Sequence, residues 1–268
     1  VGKLVEKGKG AFGGPEIKGK SLGVIGLGAI GVMVANAANH LGMTVYGYDP
    51  YLSVDAAWHL SRSIKHSTDL KEIFANCDYI TVHVPLTDGT KGMINAETIA
   101  TMKDGVRILN FARGGLVDEA SIIEALGNGK VAAYVTDFPS DAIIGVDGAI
   151  CIPHLGASTP ESEDNCASMA AGQLIDFLEN GNIVNSVNFP AVSCPRTGKC
   201  RICIIHKNIP NMLSSISAVI SNDNVNIENM LNKAKGDYAY TMVDIDSDVA
   251  GLEDDIKAIE GVIRVRII

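Results

Sequence analysis

Six short apolar runs punctuate the first 154 residues: LGVIG (22–26), TVYGY (44–48), YITVHV (79–84), VRILNF (106–111), VAAYVTD (131–137) and AICIPH (149–154). They are apolar largely without alternation, the pattern of strands covered on both faces of a parallel sheet. Between them GVMVANAANHL, DLKEIFANC, NAETIATM and EASIIEAL place apolar residues at helical spacing. Strand and helix in this alternation predict a doubly wound α/β domain over 18–156, preceded by a polar, Gly-rich lead with a hinge helix over 1–17. One more helix is expected within 157–182, and a polar stretch over 183–199, interrupted by Pro190 and Pro195, reads as a linker. Residues 200–268 then run strand, helix, strand, strand, helix, strand, the split βαβ order of a ferredoxin-like α+β domain. The scattered apolar residues Trp58 and Met33 read as core.

The first strand ends in Gly26, Gly28 and Gly31, a G-x-G-x-x-G turn leading into a helix rich in small residues. The first glycine permits the tight turn, the second lets backbone approach a diphosphate, and the third lets helix and strand pack closely. Asp49 follows at the end of the second strand, eighteen positions after Gly31. A carboxylate there accepts hydrogen bonds from ribose hydroxyls and repels a 2′-phosphate, so NAD is expected rather than NADP.

Composition narrows the partners. The formal net charge of -9, with signs interleaved, argues against nucleic acid or an anionic membrane surface. No apolar run reaches the roughly 18 residues of a membrane span. Six cysteines without a paired framework suit a reducing, cytoplasmic compartment. Cys200, Cys203 and His206, near Cys194, do not form a metal site in this reading: on a strand Cys200 and His206 share one face and Cys203 takes the other.

Three further segments, HVPLTDGTKGMIN (83–95), NFARGGLVDE (110–119) and IPHLGASTPESEDN (152–165), together with the glycine turn, resemble the D-isomer-specific 2-hydroxyacid dehydrogenases. The likeness runs from Lys18 to Ile268, because the terminal domain resembles the ACT regulatory domain that some members carry. It implies NAD-dependent oxidation of a small, phosphorylated 2-hydroxy acid. It implies that Arg113 binds the substrate carboxylate and carbonyl, a task suited to a planar, permanently charged fork. His154 is implied as general acid/base, since an imidazole titrates near neutrality. The family reads D-V-F-x-x-E where this chain has VTDFPSDAI, so Asp141 is expected to pair with His154 and Asp137 to meet the nicotinamide. Further cofactor contacts are implied for Ile30, Val84, Pro85, Thr90 and Ala112. In the ACT-like domain the resemblance places His206, Asn208 and Asn226 around an L-serine effector at an interface between two copies, and so implies a homo-oligomer, a dimer or tetramer.

By this resemblance the chain is expected to start at the family's hinge helix, without its N-terminal substrate-domain segment, and so to bind NAD without closing a catalytic cleft. Two other readings stay open: a relative acting on glycerate or lactate, and a non-catalytic sensor of NAD and an amino acid.

Overall fold

The chain opens with a short helix, Gly2–Gly8 (α1), and a 3-10 turn over Lys9–Phe12; α1 buries no residue. The computed structural model describes residues 1–247 and 251–268, so three residues of the domain expected over 200–268 lie outside the described residues. Two compact units follow one another, Val1–Gly156 and Ala157–Ile268.

In the first unit the elements run Ser21–Ile25 (β1), Ala29–His40 (α2), Thr44–Tyr48 (β2), Val54–Trp58 (α3), Lys65–His66 (β3), Leu70–Asn76 (α4), Tyr79–Val82 (β4), Ala96–Thr101 (α5), Val106–Asn110 (β5), Glu119–Gly127 (α6), Val131–Thr136 (β6) and Ala149–Cys151 (β7). The seven strands form one sheet in the order β3-β2-β1-β4-β5-β6-β7, and every pairing is parallel. All five residues of β1 are buried, as expected for a strand covered on both faces. One core cluster gathers Leu22, Val24, Val32, Ala35, Ala38 and Val45; the other gathers Ile73, Ile80, Ile108, Ile122 and their neighbours. Each fully buried Ile or Leu contributes about 1.5–3 kcal/mol relative to exposure. Side chains cap several helices: Asp69 accepts from the Lys71 N–H, Asn95 and Thr98 form a reciprocal capping box, and Asp118 accepts from the Ser121 N–H.

Two elements were not expected from the sequence. The strand β3 is a polar, exposed pair of residues held by Tyr46 and Gly47 of β2. The helix α3 is one turn capped by Ser53 and buries no residue. The expectation that Trp58 and Met33 are core is overturned: they are 83% and 63% exposed. Trp58 ends a turn too short to have an inner face, and Met33 lies on the solvent-exposed side of α2, whereas Val32 and Ala35 are buried.

The second unit begins with Pro160–Asn180 (α7) and continues Cys200–Lys207 (β8), Met212–Asn222 (α8), Ile227–Lys235 (β9), Tyr238–Ile245 (β10), Leu252–Lys257 (α9) and Val262–Ile267 (β11). Its antiparallel sheet has the order β11-β8-β10-β9. On one face Ile202, Ile204, Val243 and Val265 pack with Ile216 and Ile220 of α8 and Ile256 of α9. The other face carries Cys203, Tyr240 and Met242, and it is covered by Phe177 of α7 with Ile183, Phe189 and Val192.

The expected linker over 183–199 is therefore packed chain. Ile183 and Val192 bridge each other and both are buried. The buried Arg201–Asp244 pair holds the rest: Arg201 meets Asp244 through Nε at 2.6 Å and Nη2 at 2.8 Å, and donates to the carbonyls of Asn180, Cys194 and Pro195. Asp244 also accepts from the Thr197 N–H and hydroxyl. Burial opposes ionisation of Asp244, but the guanidinium and the Thr197 donors outweigh it and hold the carboxyl below its ordinary range.

Candidate active site

Parallel pairing sets one row of residues across the first sheet. By register, Tyr48, Ile25, Val82, Asn110, Thr136 and Cys151 stand side by side at the carboxyl ends of β2, β1, β4, β5, β6 and β7. The candidate residues sit on the turns immediately beyond this row: Asp49 after Tyr48, Gly26 after Ile25, Val84 and Pro85 after Val82, Ala112 and Arg113 after Asn110, Asp137 and Asp141 after Thr136, His154 after Cys151. The strand order reverses between β1 and β4, which opens the crevice where such sheets bind ligands.

The glycine turn has the conformation its chemistry needs. Gly26 has φ of +93°, and a Cβ there would lie 2.6 Å from the His83 carbonyl oxygen. A Cβ on Gly31 would overlap the Gly26 carbonyl oxygen, whereas Gly28 faces open space. The first and third glycines are thus fixed by packing, and the second leaves backbone accessible to a ligand. No side chain caps the N-terminus of α2, so its leading amides and positive dipole end stay available to an anion.

Asp49 closes one side. Its Oδ2 accepts from the Leu27 N–H and its Oδ1 from the Tyr51 N–H, both at 2.8 Å. These bonds fix the carboxylate while leaving lone pairs for further donors. It lines a groove of about 450 Å³ with Leu27, Gly28, Val32, Met33 and Tyr51. Ile30, expected beside the cradle, is 62% exposed. Val84 is half-buried and Pro85 exposed. The Thr90 hydroxyl donates to the Pro85 carbonyl at 2.6 Å and accepts from the Thr87 N–H, so it shapes the loop.

Arg113 is exposed, and its Nη1 donates to the Ala112 carbonyl at 2.7 Å. Sequence reasoning missed what sets this loop. Asn110 is buried; its amide donates to the Arg113 carbonyl at 2.9 Å, and its Oδ1 accepts from the Ala112 N–H at 3.2 Å. The available signal was a buried-strand pattern ending in a polar residue, which has to find partners.

His154 is exposed, with its ring centroid 4.5 Å from that of Phe138. The expected pairing with Asp141 is not made: no hydrogen bond or ion pair joins them among the described residues, and both side chains are exposed. Asp is one methylene shorter than the Glu of the family pattern, and here the Phe138 ring is what contacts the imidazole. Asp137 is half-buried, with an Oδ1 that is buried and has no hydrogen-bond partner among the described residues. A carboxylate oxygen in that state needs a donor from outside the chain. The free cradle amides, the fixed Asp49 and this orphaned oxygen fit a dinucleotide carrying a carboxamide.

In the second unit the three expected effector residues do not converge. His206 is 2% exposed and both ring nitrogens are occupied: Nδ1 donates to the Lys207 carbonyl and Nε2 meets the Thr241 hydroxyl, each at 2.8 Å. The expectation that His206 faces an effector is corrected on that ground, since it braces the strand end internally. Asn208 and Asn226 are exposed. Asn208 follows the end of β8 beside Tyr238, while Asn226 precedes the end of β9 beside Ile245. Seven residues of β10 separate those ends, about 24 Å at ~3.4 Å per residue.

Among the described residues no disulfide joins any two cysteines, and no helix is long and apolar enough to cross a membrane.

Comparison with known proteins agrees with this geometry. Residues 2–156 match the model of the D-isomer specific 2-hydroxyacid dehydrogenase NAD binding domain. A D-3-phosphoglycerate dehydrogenase from Haemophilus influenzae is 34% identical over 97% of this chain and 65% of its own length. One from Bacillus subtilis is 41% identical over 68% of this chain and 35% of its own. The chain thus spans less than two thirds of these relatives. Among solved structures, holo D-mandelate dehydrogenase from Rhodotorula graminis superposes with a TM-score of 0.62 at 26% identity, covering 71% of this chain and 57% of that one. Aquifex aeolicus D-lactate dehydrogenase, complexed with NAD and lactic acid, does so with a TM-score of 0.55 at 27% identity, covering 66% and 61%. The chain belongs to the D-isomer specific 2-hydroxyacid dehydrogenase family, and its first unit is that family's NAD-binding domain.

Proposed function

We propose that the chain is part of an NAD-dependent enzyme that oxidises D-3-phosphoglycerate to 3-phosphohydroxypyruvate, the first step of L-serine biosynthesis. The observation that carries this reading is the single row of strand ends, which puts the glycine cradle, Arg113 and His154 on one edge of the sheet. β5 and β7 are two strands apart, about 10 Å at ~4.8 Å per strand, so a three-carbon substrate can lie between the turns bearing Arg113 and His154. The relatives named D-3-phosphoglycerate dehydrogenase favour this substrate over glycerate or lactate.

When bound, NAD supplies the acceptor for the C2 hydride. The cradle amides take the diphosphate, Asp49 the adenosine ribose hydroxyls, and the Asp137 Oδ1 the carboxamide N–H. Arg113 turns its fork to the substrate carboxylate, exchanging its bond to the Ala112 carbonyl for two charge-assisted ones. A ring nitrogen of His154 takes the C2 hydroxyl proton as the carbonyl forms, and returns it in the reverse direction. Asp141 orients that ring once the loop after Phe138 brings its carboxylate within about 3 Å, a bond that often tightens only in the loaded site.

We read the four-stranded unit as an ACT-like regulatory domain binding L-serine. The roughly 24 Å between the Asn208 and Asn226 ends of one sheet calls for two copies about a two-fold axis, Asn208 of one facing Asn226 of the other, and hence a homo-oligomer.

The test is NAD reduction by D-3-phosphoglycerate, D-glycerate and D-lactate, measured on the full-length protein. D-3-phosphoglycerate is expected to react fastest, and His154→Ala to lower kcat by about 10²–10⁴. Equal turnover by wild type and variant would remove His154 from the proton transfer, and no NAD reduction with any of the three acids would favour a sensor.

A further inference from the structure

The second sheet carries an unassigned cavity on its α7-covered face. Arg264 and Arg266 flank Val265 on the edge strand β11, and because Val265 packs into the core on the α8 and α9 face, the two arginines fall on the other. With Phe177, Leu178, Ile205 and Tyr240 they line a space of about 210 Å³ that also touches Cys203.

Its charge is one-sided. No carboxylate lines the cavity, and neither arginine forms an ion pair among the described residues. Arg266 donates through Nη2 to the Phe177 carbonyl and its guanidinium stacks 4.5 Å from the Phe177 ring centroid, yet its Nε–H is buried with no hydrogen-bond partner among the described residues. The carboxyl end of α7 offsets little of this, since a helix terminus offers about half an elementary charge against two full cations. The Tyr240 hydroxyl is spent on the Gly181 carbonyl. Burial pushes both the Tyr240 phenol and the Cys203 thiol above their ordinary pKa, so neither supplies a counter-charge at neutral pH.

We propose that this cavity binds a small monocarboxylate with an apolar body, its carboxylate held by Arg264 and Arg266 and its chain laid against Phe177, Leu178 and Ile205. A carboxylate matches the planar fork and satisfies the orphaned Nε–H. The walls offer a second polar end no partner, which selects an aliphatic tail. At about 30 Å³ per water the space equals roughly seven waters, enough for a chain of about six carbons. The site shares no residue with the turns proposed to bind substrate, and it stands whether or not those residues catalyse.

The test is a titration of the whole chain carrying Arg113→Gln, which removes the other candidate carboxylate anchor, followed by ¹H–¹⁵N spectra that include arginine side chains. Hexanoate, hexanamide and inorganic phosphate are added at fixed ionic strength. Hexanoate is expected to shift the Arg266 Nε–H and the amides of Phe177 and Tyr240 saturably, with hexanamide and phosphate at least about tenfold weaker. Arg264→Gln, at the exposed mouth, is expected to weaken hexanoate about fivefold or more while leaving the remaining spectrum in place. The proposal is overturned if the Arg266 signal does not move or if hexanamide binds as well as hexanoate. Equal binding of phosphate, or indifference to Arg264→Gln, overturns it too.

Discussion

Asp78 shows how single residues fasten the first sheet. Its Oδ2 accepts from the Ser21 N–H and hydroxyl at 2.8 Å, and its Oδ1 meets the Lys103 ammonium at 3.0 Å, joining the starts of β1 and β4 to the turn before β5. Burial opposes its charge, but the two Ser21 donors and Lys103 outweigh that and lower its pKa from 3.8 to about 2. A carboxylate whose folded pKa is depressed stabilises the fold above its unfolded pKa, and the contribution is lost as pH falls through the folded value. Wild type should therefore be more stable than Asp78→Asn at pH 5, and the gap should close between about pH 4 and pH 2. Urea unfolding at several pH values checks this; a gap that does not change with pH would mean Asp78 is not held as a carboxylate. Legibility at this scale is uneven. Gly26, Gly28 and Gly31 were readable because their constraint is local, a φ of +93° at Gly26 or a close approach at Gly31. The roles of Asn110 and His206 were not, because it is the fold that buries them and sets Tyr134 and Thr241 of neighbouring strands beside them, although their backbone partners are close along the chain.

At the scale of elements, the apolar runs located all but one strand of the first sheet, since a strand covered on both faces must be apolar wherever it occurs. The strand β3 escaped because it is polar and borrows its order from β2. Residues 183–199 escaped for a related reason: they have no period of their own and are captured by Arg201, Asp244 and the Ile183–Val192 bridge. Arg201→Met should destabilise the second unit by about 3–5 kcal/mol, because it leaves Asp244 buried without its cation and strands three carbonyls. Replacing both members, Arg201→Met with Asp244→Leu, should cost less than the single change. Denaturant titrations followed by far-UV circular dichroism compare the two; a double variant at least as damaged as the single would show that the pair's geometry, not its charge, organises the segment.

At the scale of the whole molecule, each unit has its own buried clusters, one pair within residues 1–156 and one within 157–268. Each can therefore melt by itself. Calorimetry should resolve two transitions, with NADH at about 100 times its Kd raising only one of them, by about 2.7 kcal/mol. Arg201→Met should lower only the other. A single transition moved by both would show that the units fold as one.

What the sequence determined by itself was whatever neighbours along the chain can enforce: the glycine turn, the buried parallel strands, the long helix over 160–180, and the order of elements in both units apart from α3 and β3. What only the tertiary structure decided was which polar groups meet. It placed Phe138 rather than Asp141 against His154, closed His206 onto Thr241 and Lys207, and gathered two arginines around an apolar cavity without a carboxylate. The reason is physical. Backbone conformation and burial are set by short-range sterics and hydropathy, whereas a hydrogen bond or ion pair between distant residues depends on a few ångströms of geometry that exist only after the chain has packed.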